Sequence, residues 1–325
     1  MRGRNPHCNP EAHRRALRVV CTKRVFPFLP SLAIQNAINS PSFSSLPICA
    51  IISYELHYFA AQIRREKRFH EREVLNPMPD REAFETAKKK IIGVDRQRLG
   101  IGTLSEKTVH AILKNYYEPD EDRQEIPIEN YVADIYADGE IIEIQTRQFN
   151  RMRDKLSAFL PFYPVTIVYP IPREKWIIWI DEESGELSKK RKSPIKGNPY
   201  AAFPELYKIK MFLKDPNLRL RFALLDIEEY KLLNGWSKDR KKGSSRYDRI
   251  PTELVEEVEI NCLQDYMQFV PYELNGEFTS KDFAKAAHIS VSLAQTVLNI
   301  LYYVGILTRV GKKGNLYLYE VIEIL

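Results

Sequence analysis

The sequence lacks the features of secreted and membrane proteins. No run of about 18 consecutive apolar residues is present, so no membrane-spanning helix is expected. Four cysteines in 325 residues, with no C-x-x-C pair among them, exclude a disulfide framework. The cationic start is interrupted by Lys23, Arg24 and Pro27 before an apolar signal-peptide core can form. These absences predict a cytoplasmic protein of a reducing compartment with no membrane partner.

Several enzyme signatures are also missing. The chain contains no G-x-S-x-G, H-E-x-x-H or Walker sequence, which argues against α/β-hydrolase, zincin and P-loop chemistry. With 44% hydrophobic and 28% charged residues, the composition is that of a globular protein. Its length of 325 residues predicts two or three domains.

Positive charge is unevenly distributed. Residues 1–77 hold 12 Lys and Arg against 5 Glu and no Asp, whereas residues 78–325 hold 37 basic and 38 acidic residues. The first 77 residues are therefore a basic extension. Three interpretations stay open: an arm that contacts nucleic acid, a poorly ordered tail, or translation from a start assigned too far upstream of Met78.

Periodicity and turn signals predict a mixed α/β segment after residue 78. Helices are expected over 80–92, 103–117 and 149–160. Strands are expected over 128–136, 140–146, 165–169, 176–180 and 219–226, and a polar basic loop over 237–249. Beyond Pro251 the pattern predicts helices over 254–268, 280–287 and 291–304, followed by strands over 306–310 and 316–321.

The most informative feature is a hairpin that carries two carboxylates. Asp138-Gly139 is a strong two-residue turn signal. A turn there makes the numbers of paired residues sum to 277, so Asp134 faces Glu143. Gln145 then shares their face of the sheet. Like charges opposed in this way destabilise the pairing unless something offsets them, and a bound Mg²⁺ would do so. A nearby Lys or Arg, or simple tolerance at a solvent-facing edge, remains the alternative.

A helix with Glu106, a strand with Asp134, a hairpin, a strand with Glu143-x-Gln145 and a further helix resemble the PD-(D/E)XK nuclease superfamily over residues 103–180. The resemblance implies a restriction-endonuclease-like fold and Mg²⁺-dependent phosphodiester hydrolysis, with Mn²⁺ expected to substitute. It identifies Asp134 and Glu143 as metal ligands and Glu106 as an accessory acidic ligand. Gln145 stands where the family usually has the lysine that orients the attacking water, so the resemblance implies this catalytic role for Gln145 and leaves retained catalysis in question.

Each of these assignments has a competing structural explanation. Glu106 has the spacing of a capping-box residue with Thr103. Lys155, on the following helix, is a candidate for a relocated catalytic lysine, although a solvated lysine on a helix surface is the favoured interpretation. His110 is expected to be a packing or surface residue rather than a base.

Residues 278–321 resemble a winged helix-turn-helix. The resemblance implies that the second helix enters the major groove, with Gln295 and Asn299 toward DNA, and that Lys312 and Lys313 at the wing touch its backbone. That helix has no Lys or Arg, and such modules also serve as protein-interaction and dimer modules. The basic loop offers further phosphate contacts, with a solvated loop as the alternative. Its candidates are Lys238, Arg240, Lys241, Lys242 and Arg246.

These observations predict an α/β protein: a restriction-endonuclease-like mixed sheet flanked by helices over 78–250, and a small winged-helix module over 251–325. The expected function is metal-dependent hydrolysis of DNA in restriction, repair or mobile-element defence. The alternative is a catalytically impaired nuclease-like fold that acts as a DNA-binding or regulatory adaptor through its winged helix. Composition does not exclude RNA as the substrate, and a homodimer stays open.

Overall fold

The computed structural model describes residues 76, 78–98, 108–181, 183–236 and 242–322. Within these ranges, the side chains of residues 94–98, 235, 236 and 242 are not described. Apart from Asn76, the N-terminal extension lies outside the described residues. So do four of the candidate site residues, namely Glu106, Lys238, Arg240 and Lys241.

The described chain forms a mixed sheet with helices on both faces. The helices are α1 (Arg81–Arg98), α2 (Thr108–Tyr117), α3 (Arg153–Phe159), α4 (Phe203–Lys208), α5 (Ser280–Ala286) and α6 (Val291–Val304). The strands of the large sheet are β1 (Gln124–Ile128), β2 (Tyr131–Ala137), β3 (Glu140–Ile144), β4 (Val165–Asp181), β5 (Arg191–Lys192), β6 (Leu218–Trp236) and β7 (Lys242–Ile260). Short 3-10 helices cover Glu121–Arg123, Phe149–Met152, Pro199–Ala202, Lys210–Phe212 and Leu263–Phe269.

The large sheet has the strand order β1-β2-β3-β4-β6-β7, with β5 paired to β4. The pairs β3–β4 and β4–β6 are parallel, and the other pairs are antiparallel. Helix α3 lies in the connection between the parallel strands β3 and β4, as a parallel crossover requires. The prediction of a mixed sheet flanked by helices is therefore confirmed.

Two hydrophobic clusters cover the two faces of the sheet. On one face, Phe84 of α1 and Ile112 of α2 pack against Ile135 and Val168. On the other face, Phe149, Leu156 and Phe203 belong to a larger cluster that also includes Leu298 of α6. The C-terminal helices thus share a core with the sheet, and the carboxylate hairpin lies between α2 on one side and α3 on the other.

The hairpin between β2 and β3 has the predicted register. Asp138 and Gly139 form the turn with φ angles of 51° and 82°, which only glycine and a few polar residues adopt readily. Ala137 pairs with Glu140, Tyr136 with Ile141 and Ile135 with Ile142. These pairs sum to 277, as the turn assignment requires.

Two predictions for the segment around residue 250 are wrong. Residues 242–249 form a strand rather than a loop, because they pair with residues 229–236 at the C-terminal end of β6. Residues 254–260 continue that strand instead of beginning a helix, and only a 3-10 helix follows at Leu263–Phe269. Residue 250, the expected domain boundary, therefore lies inside β7.

Irregular pairing explains the misassigned helix. The β6–β7 register shifts where Thr252 and Val255 are passed over as bulged residues. Each extra residue moves the next buried side chain by one position, so Pro251, Leu254 and Val258 are buried at a spacing that resembles a helix. Pro251 is tolerated because β7 is an edge strand.

The C-terminal segment ends in a separate two-stranded sheet of β8 (Leu307–Lys313) and β9 (Leu316–Val321). The helices predicted over 280–287 and 291–304 and the strands predicted over 306–310 and 316–321 are confirmed to within a few residues. Thr279 and Asp282 form a capping box at the start of α5. Gly305 ends α6 with a φ of 89°. None of the described helices is long and apolar enough to cross a membrane.

Candidate active site

Strands β2 and β3 separate at the two carboxylates. The last paired residues are Ile135 and Ile142. Beyond them, the backbone N–H of Ile144 donates to Oδ2 of Asp134 at 2.8 Å, and the N–H of Asp134 donates to Oε1 of Glu143 at 3.3 Å. Side-chain oxygens therefore satisfy amides that a continuous ladder would have paired. This exchange holds the two carboxylates close together, although the predicted pair of Asp134 with Glu143 is not part of the ladder.

Helix α2 places an imidazole beside the first carboxylate. Nε2 of His110 lies 3.2 Å from Oδ2 of Asp134. The neighbouring residues Val109 and Ile112 are buried against the sheet, which fixes the rotation of the helix. His110 therefore belongs to the site, contrary to the expectation of a packing or surface role.

Helix α3 places an ammonium group on the second carboxylate. Nζ of Lys155 donates to Oε2 of Glu143 at 2.7 Å. Leu156 and Phe159 of the same helix are buried in the core, and the ammonium lies 5.8 Å from the centre of the Phe159 ring. The side chain of Lys155 is only 18% exposed and that of Glu143 only 7%. The structure therefore contradicts the interpretation of Lys155 as a solvated lysine on the helix surface.

The two carboxylates have different electrostatic environments. Burial raises the pKa of Glu143 to about 7, and the nearby charge of Asp134 adds to the increase despite Lys155. Burial alone would also raise the pKa of Asp134. Its hydrogen bonds with His110 and Ile144, together with the charges of His110 and Lys155, outweigh that effect and lower its pKa. A pair of carboxylates with pKa values pushed apart is typical of functional sites.

The donor atoms suit a magnesium ion that also takes ligands from substrate and water. Such an ion commonly uses one or two protein carboxylates. Within the described ranges, Oδ1 of Asp134 has no hydrogen bond or ion pair, which leaves it available as a ligand, and Glu143 lies beside it. No cluster of three or more His, Cys, Asp or Glu with metal-binding geometry occurs among the described residues. The described residues therefore fit a two-carboxylate site, but not a metal cage made by the protein alone.

Gln145 does not join the carboxylates. Its backbone N–H bonds to the carbonyl of Val168, and its side-chain Nε2 donates to the carbonyl of Arg147 at 2.7 Å. It lies just past the end of β3 and stabilises the turn that leads to Gln148, where φ is 63°. This placement favours a local structural role over the water-orienting role that the resemblance implied.

The candidate nucleic-acid contacts are scattered. Arg246 lies on β7, 3.6 Å from the buried carboxylate of Glu229, and Lys242 begins the same strand. On α6, Gln295 is exposed, whereas Asn299 accepts a hydrogen bond from Lys210 at 2.6 Å and so faces the protein. On the β8–β9 hairpin, Lys312 lies 5.0 Å from the ring of Tyr317 and Lys313 is exposed.

Comparison with known proteins finds similarity over just under half of the chain. A family model described as a domain of unknown function, DUF8091, matches residues 107–261, just under half of the chain. This range runs from α2 to the end of β7 and contains His110, Asp134, Glu143 and Lys155. An uncharacterized protein of Treponema pallidum (strain Nichols) is 32% identical over 150 residues. These residues are 46% of this chain and 57% of the relative, so the chain spans less than two thirds of the relative's length. No solved structure matches the chain.

Proposed function

We propose that this protein is a metal-dependent phosphodiesterase acting on DNA, with Asp134, Glu143 and Lys155 as its central residues. The observation that carries the proposal is the 2.7 Å contact between Lys155 and Glu143, beside a second carboxylate, where two strands separate. This contact places a lysine against the second carboxylate, although the sequence has Gln145 at the expected lysine position. In this interpretation the catalytic lysine comes from α3 instead of β3.

Each residue has a role that its surroundings support. Asp134 and Glu143 would hold the metal, which when bound would polarise a phosphate oxygen and lower the pKa of a bound water. His110 and the amide of Ile144 hold Asp134 at its Oδ2, which leaves Oδ1 directed to other ligands. The Lys155 ammonium has three donors and uses one on Glu143. The remaining donors can orient a water or stabilise negative charge on the phosphate.

The order of elements supports a restriction-endonuclease-like assignment for the finer fold. Helix α2, the β2–β3 hairpin, helix α3 and the parallel strand β4 follow one another as the resemblance requires. In the C-terminal segment, α5, α6 and the β8–β9 hairpin agree with a winged helix-turn-helix. Because Asn299 contacts Lys210, the part of α6 open to DNA would be its start, near the exposed Ser292 and Gln295.

The proposal is tested with the full chain and a matched pair of substitutions. Asp134→Asn removes the charge of a site carboxylate. Asp138→Asn makes the same change at the hairpin turn, where the side chain is 91% exposed and asparagine tolerates the positive φ. Each protein is incubated with plasmid, single-stranded DNA and RNA in Mg²⁺, Mn²⁺ or EDTA.

We expect cleavage of DNA that requires metal, is retained by Asp138→Asn and falls by at least about 100-fold in Asp134→Asn. Cleavage of RNA but not DNA would show that the substrate is RNA instead of DNA. Absence of cleavage by folded wild-type protein on every substrate would contradict it. If that protein still shifted DNA in a binding assay, the adaptor alternative would replace the nuclease.

A further inference from the structure

A pocket of about 250 Å³ lies beside the candidate active site, between the start of α2 and residues 246–249 of β7. Its floor includes the buried apolar side chains of Val109, Leu225 and Ile227. Three arginines line the same pocket, and we call it the arginine pocket: Arg147, Arg246 and Arg249. Val109 directly precedes His110, and Arg147 follows Glu143 by four residues, so the elements that form the site also form the pocket.

The arginine pocket carries an excess of positive charge. The buried carboxylate of Glu229 lies 3.0 Å from Arg249 and 3.6 Å from Arg246, but it also lies 3.6 Å from Lys175 and from Lys231. One carboxylate is therefore shared among four cations. Asp248 also lines the pocket, where it accepts hydrogen bonds from Thr108 and from the Arg249 backbone amide.

Arg147 has no acidic partner among the described residues. The pKa of Arg246 is lowered, first by burial and then by the charge of Arg249, with a further contribution from Arg147. The three guanidinium groups therefore repel one another, and an anion would relieve the repulsion. Tyr247 also lines the pocket, and its buried hydroxyl makes no hydrogen bond within the described chain.

Size and polarity narrow the class of ligand. Pockets for drug-sized molecules usually measure about 300–1,000 Å³, so this pocket suits a smaller unit. Guanidinium groups bind phosphate with two parallel hydrogen bonds, and apolar side chains provide a surface for a flat ring. A ligand that combines a phosphate with an aromatic ring matches both features. Inorganic phosphate would leave the apolar floor uncovered.

We propose that the arginine pocket binds one nucleotide of a DNA strand, with its phosphate on the arginines and its base against the apolar floor. The choice of DNA rests on the function proposed above, while the pocket itself rests on its own geometry. The pocket would hold the strand while a neighbouring phosphate lies at the carboxylates. It is a positioning site and takes no part in the chemical step.

Binding is measured without metal, so that cleavage cannot interfere. Fluorescence anisotropy of a labelled single-stranded DNA in EDTA compares the full-length wild-type protein with Arg147→Gln. The matched control is Arg81→Gln, an exposed arginine at the start of α1 whose ion pair with Glu253 spans 3.6 Å. Thermal unfolding of each variant confirms that it is folded. Because Arg147 is exposed and has no acidic partner in the described chain, its replacement should leave stability unchanged.

We expect Arg147→Gln to weaken DNA binding about tenfold and to reduce the slope of log K against log salt by about 0.7. Arg81→Gln should leave both unchanged. Deoxyadenosine monophosphate should displace the DNA from wild-type protein at concentrations where inorganic phosphate does not. Equal displacement by inorganic phosphate would overturn the nucleotide assignment, and binding of RNA but not DNA would overturn the choice of strand.

Unchanged affinity in Arg147→Gln would overturn the pocket proposal, whatever the cleavage assay shows. Conversely, the metal-dependent cleavage test can fail while the Arg147 effect stands, because binding is measured in EDTA. The two failures are therefore distinguishable.

Discussion

Replacing Lys155 with methionine tests whether the ion pair at the candidate site exists as described. Methionine keeps much of the aliphatic volume of lysine but removes the ammonium from Glu143, whose side chain is only 7% exposed. Removing one partner of a buried ion pair costs about 3–5 kcal/mol when the other stays charged. Glu143 can avoid part of this cost by taking up a proton, because its pKa already lies at about 7. The destabilisation should therefore depend on pH.

The sign of that dependence follows from the raised pKa. An acid whose pKa is higher in the folded protein than in the unfolded chain loses stabilising free energy as pH rises from the unfolded value to the folded one. In the wild type this loss ends near pH 7. Without Lys155 the pKa rises further, so the loss continues above pH 7. We expect Lys155→Met to cost about 1 kcal/mol at pH 6, the value of a hydrogen bond, and about 3 kcal/mol at pH 9.

Urea unfolding at pH 6 and pH 9 measures both values in metal-free buffer. In a Glu143→Gln background, which has no carboxyl to titrate, the effect of Lys155→Met should not vary with pH. Lys208→Met is the matched control, because Lys208 forms a more exposed helix ion pair with Glu205. A cost for Lys155→Met that is equal at both pH values, or below about 0.5 kcal/mol at pH 9, would refute the buried ion pair.

Two further predictions concern metal binding and packing. Because Glu143 has a raised pKa and a metal ligand must be deprotonated, Mg²⁺ affinity measured by calorimetry should rise between pH 6 and pH 8 with release of protons. An affinity that is flat over this range would argue against Glu143 as a ligand. Gly197→Ala should lower the free energy of unfolding by about 1–3 kcal/mol, because the added Cβ would lie 2.1 Å from the carbonyl oxygen of Pro172. Gly93→Ala in α1, where nothing lies within 4 Å, should instead stabilise by about 0.5–1 kcal/mol, and equal effects at the two glycines would contradict the packing described.

The sequence predicted the hairpin well because its signals are local. Asp138-Gly139 sets the turn, and the alternation on either side sets the register, which brings Asp134 and Glu143 to the point where the paired strands separate. A regular two-residue turn leaves no other pairing that keeps the apolar side chains on the buried faces. The two central residues of the candidate site could therefore be found from sequence alone.

The rest of the site could not be found in this way, because it depends on packing between distant segments. Lys155 reaches Glu143 only because Leu156 and Phe159 fix the rotation of α3 in the core, and His110 reaches Asp134 through the docking of α2. Their spacing along the chain gives no direct signal of either contact. A test of which helix face is buried would have placed Lys155 near the sheet.

Strand β7 differs from the prediction for another reason. Its bulges at Thr252 and Val255 change the spacing of buried residues from two to three, which imitates a helix. The sequence before Pro251 predicts a loop because polar residues fill that part of the strand. Their cross-strand partners on β6 lie between 6 residues earlier, for Lys242 and Trp236, and 20 residues earlier, for Arg249 and Glu229.

We propose that Lys155 works with Asp134 and Glu143 in one catalytic site. The most direct test is the single-turnover rate of DNA cleavage in Mg²⁺ at pH 7, with wild type and Lys155→Met compared under conditions where both are folded. We expect the cleavage rate of Lys155→Met to be at least about 100-fold lower than that of the wild type, with Mg²⁺ binding retained. Cleavage by Lys155→Met at the wild-type rate would contradict a catalytic role for Lys155.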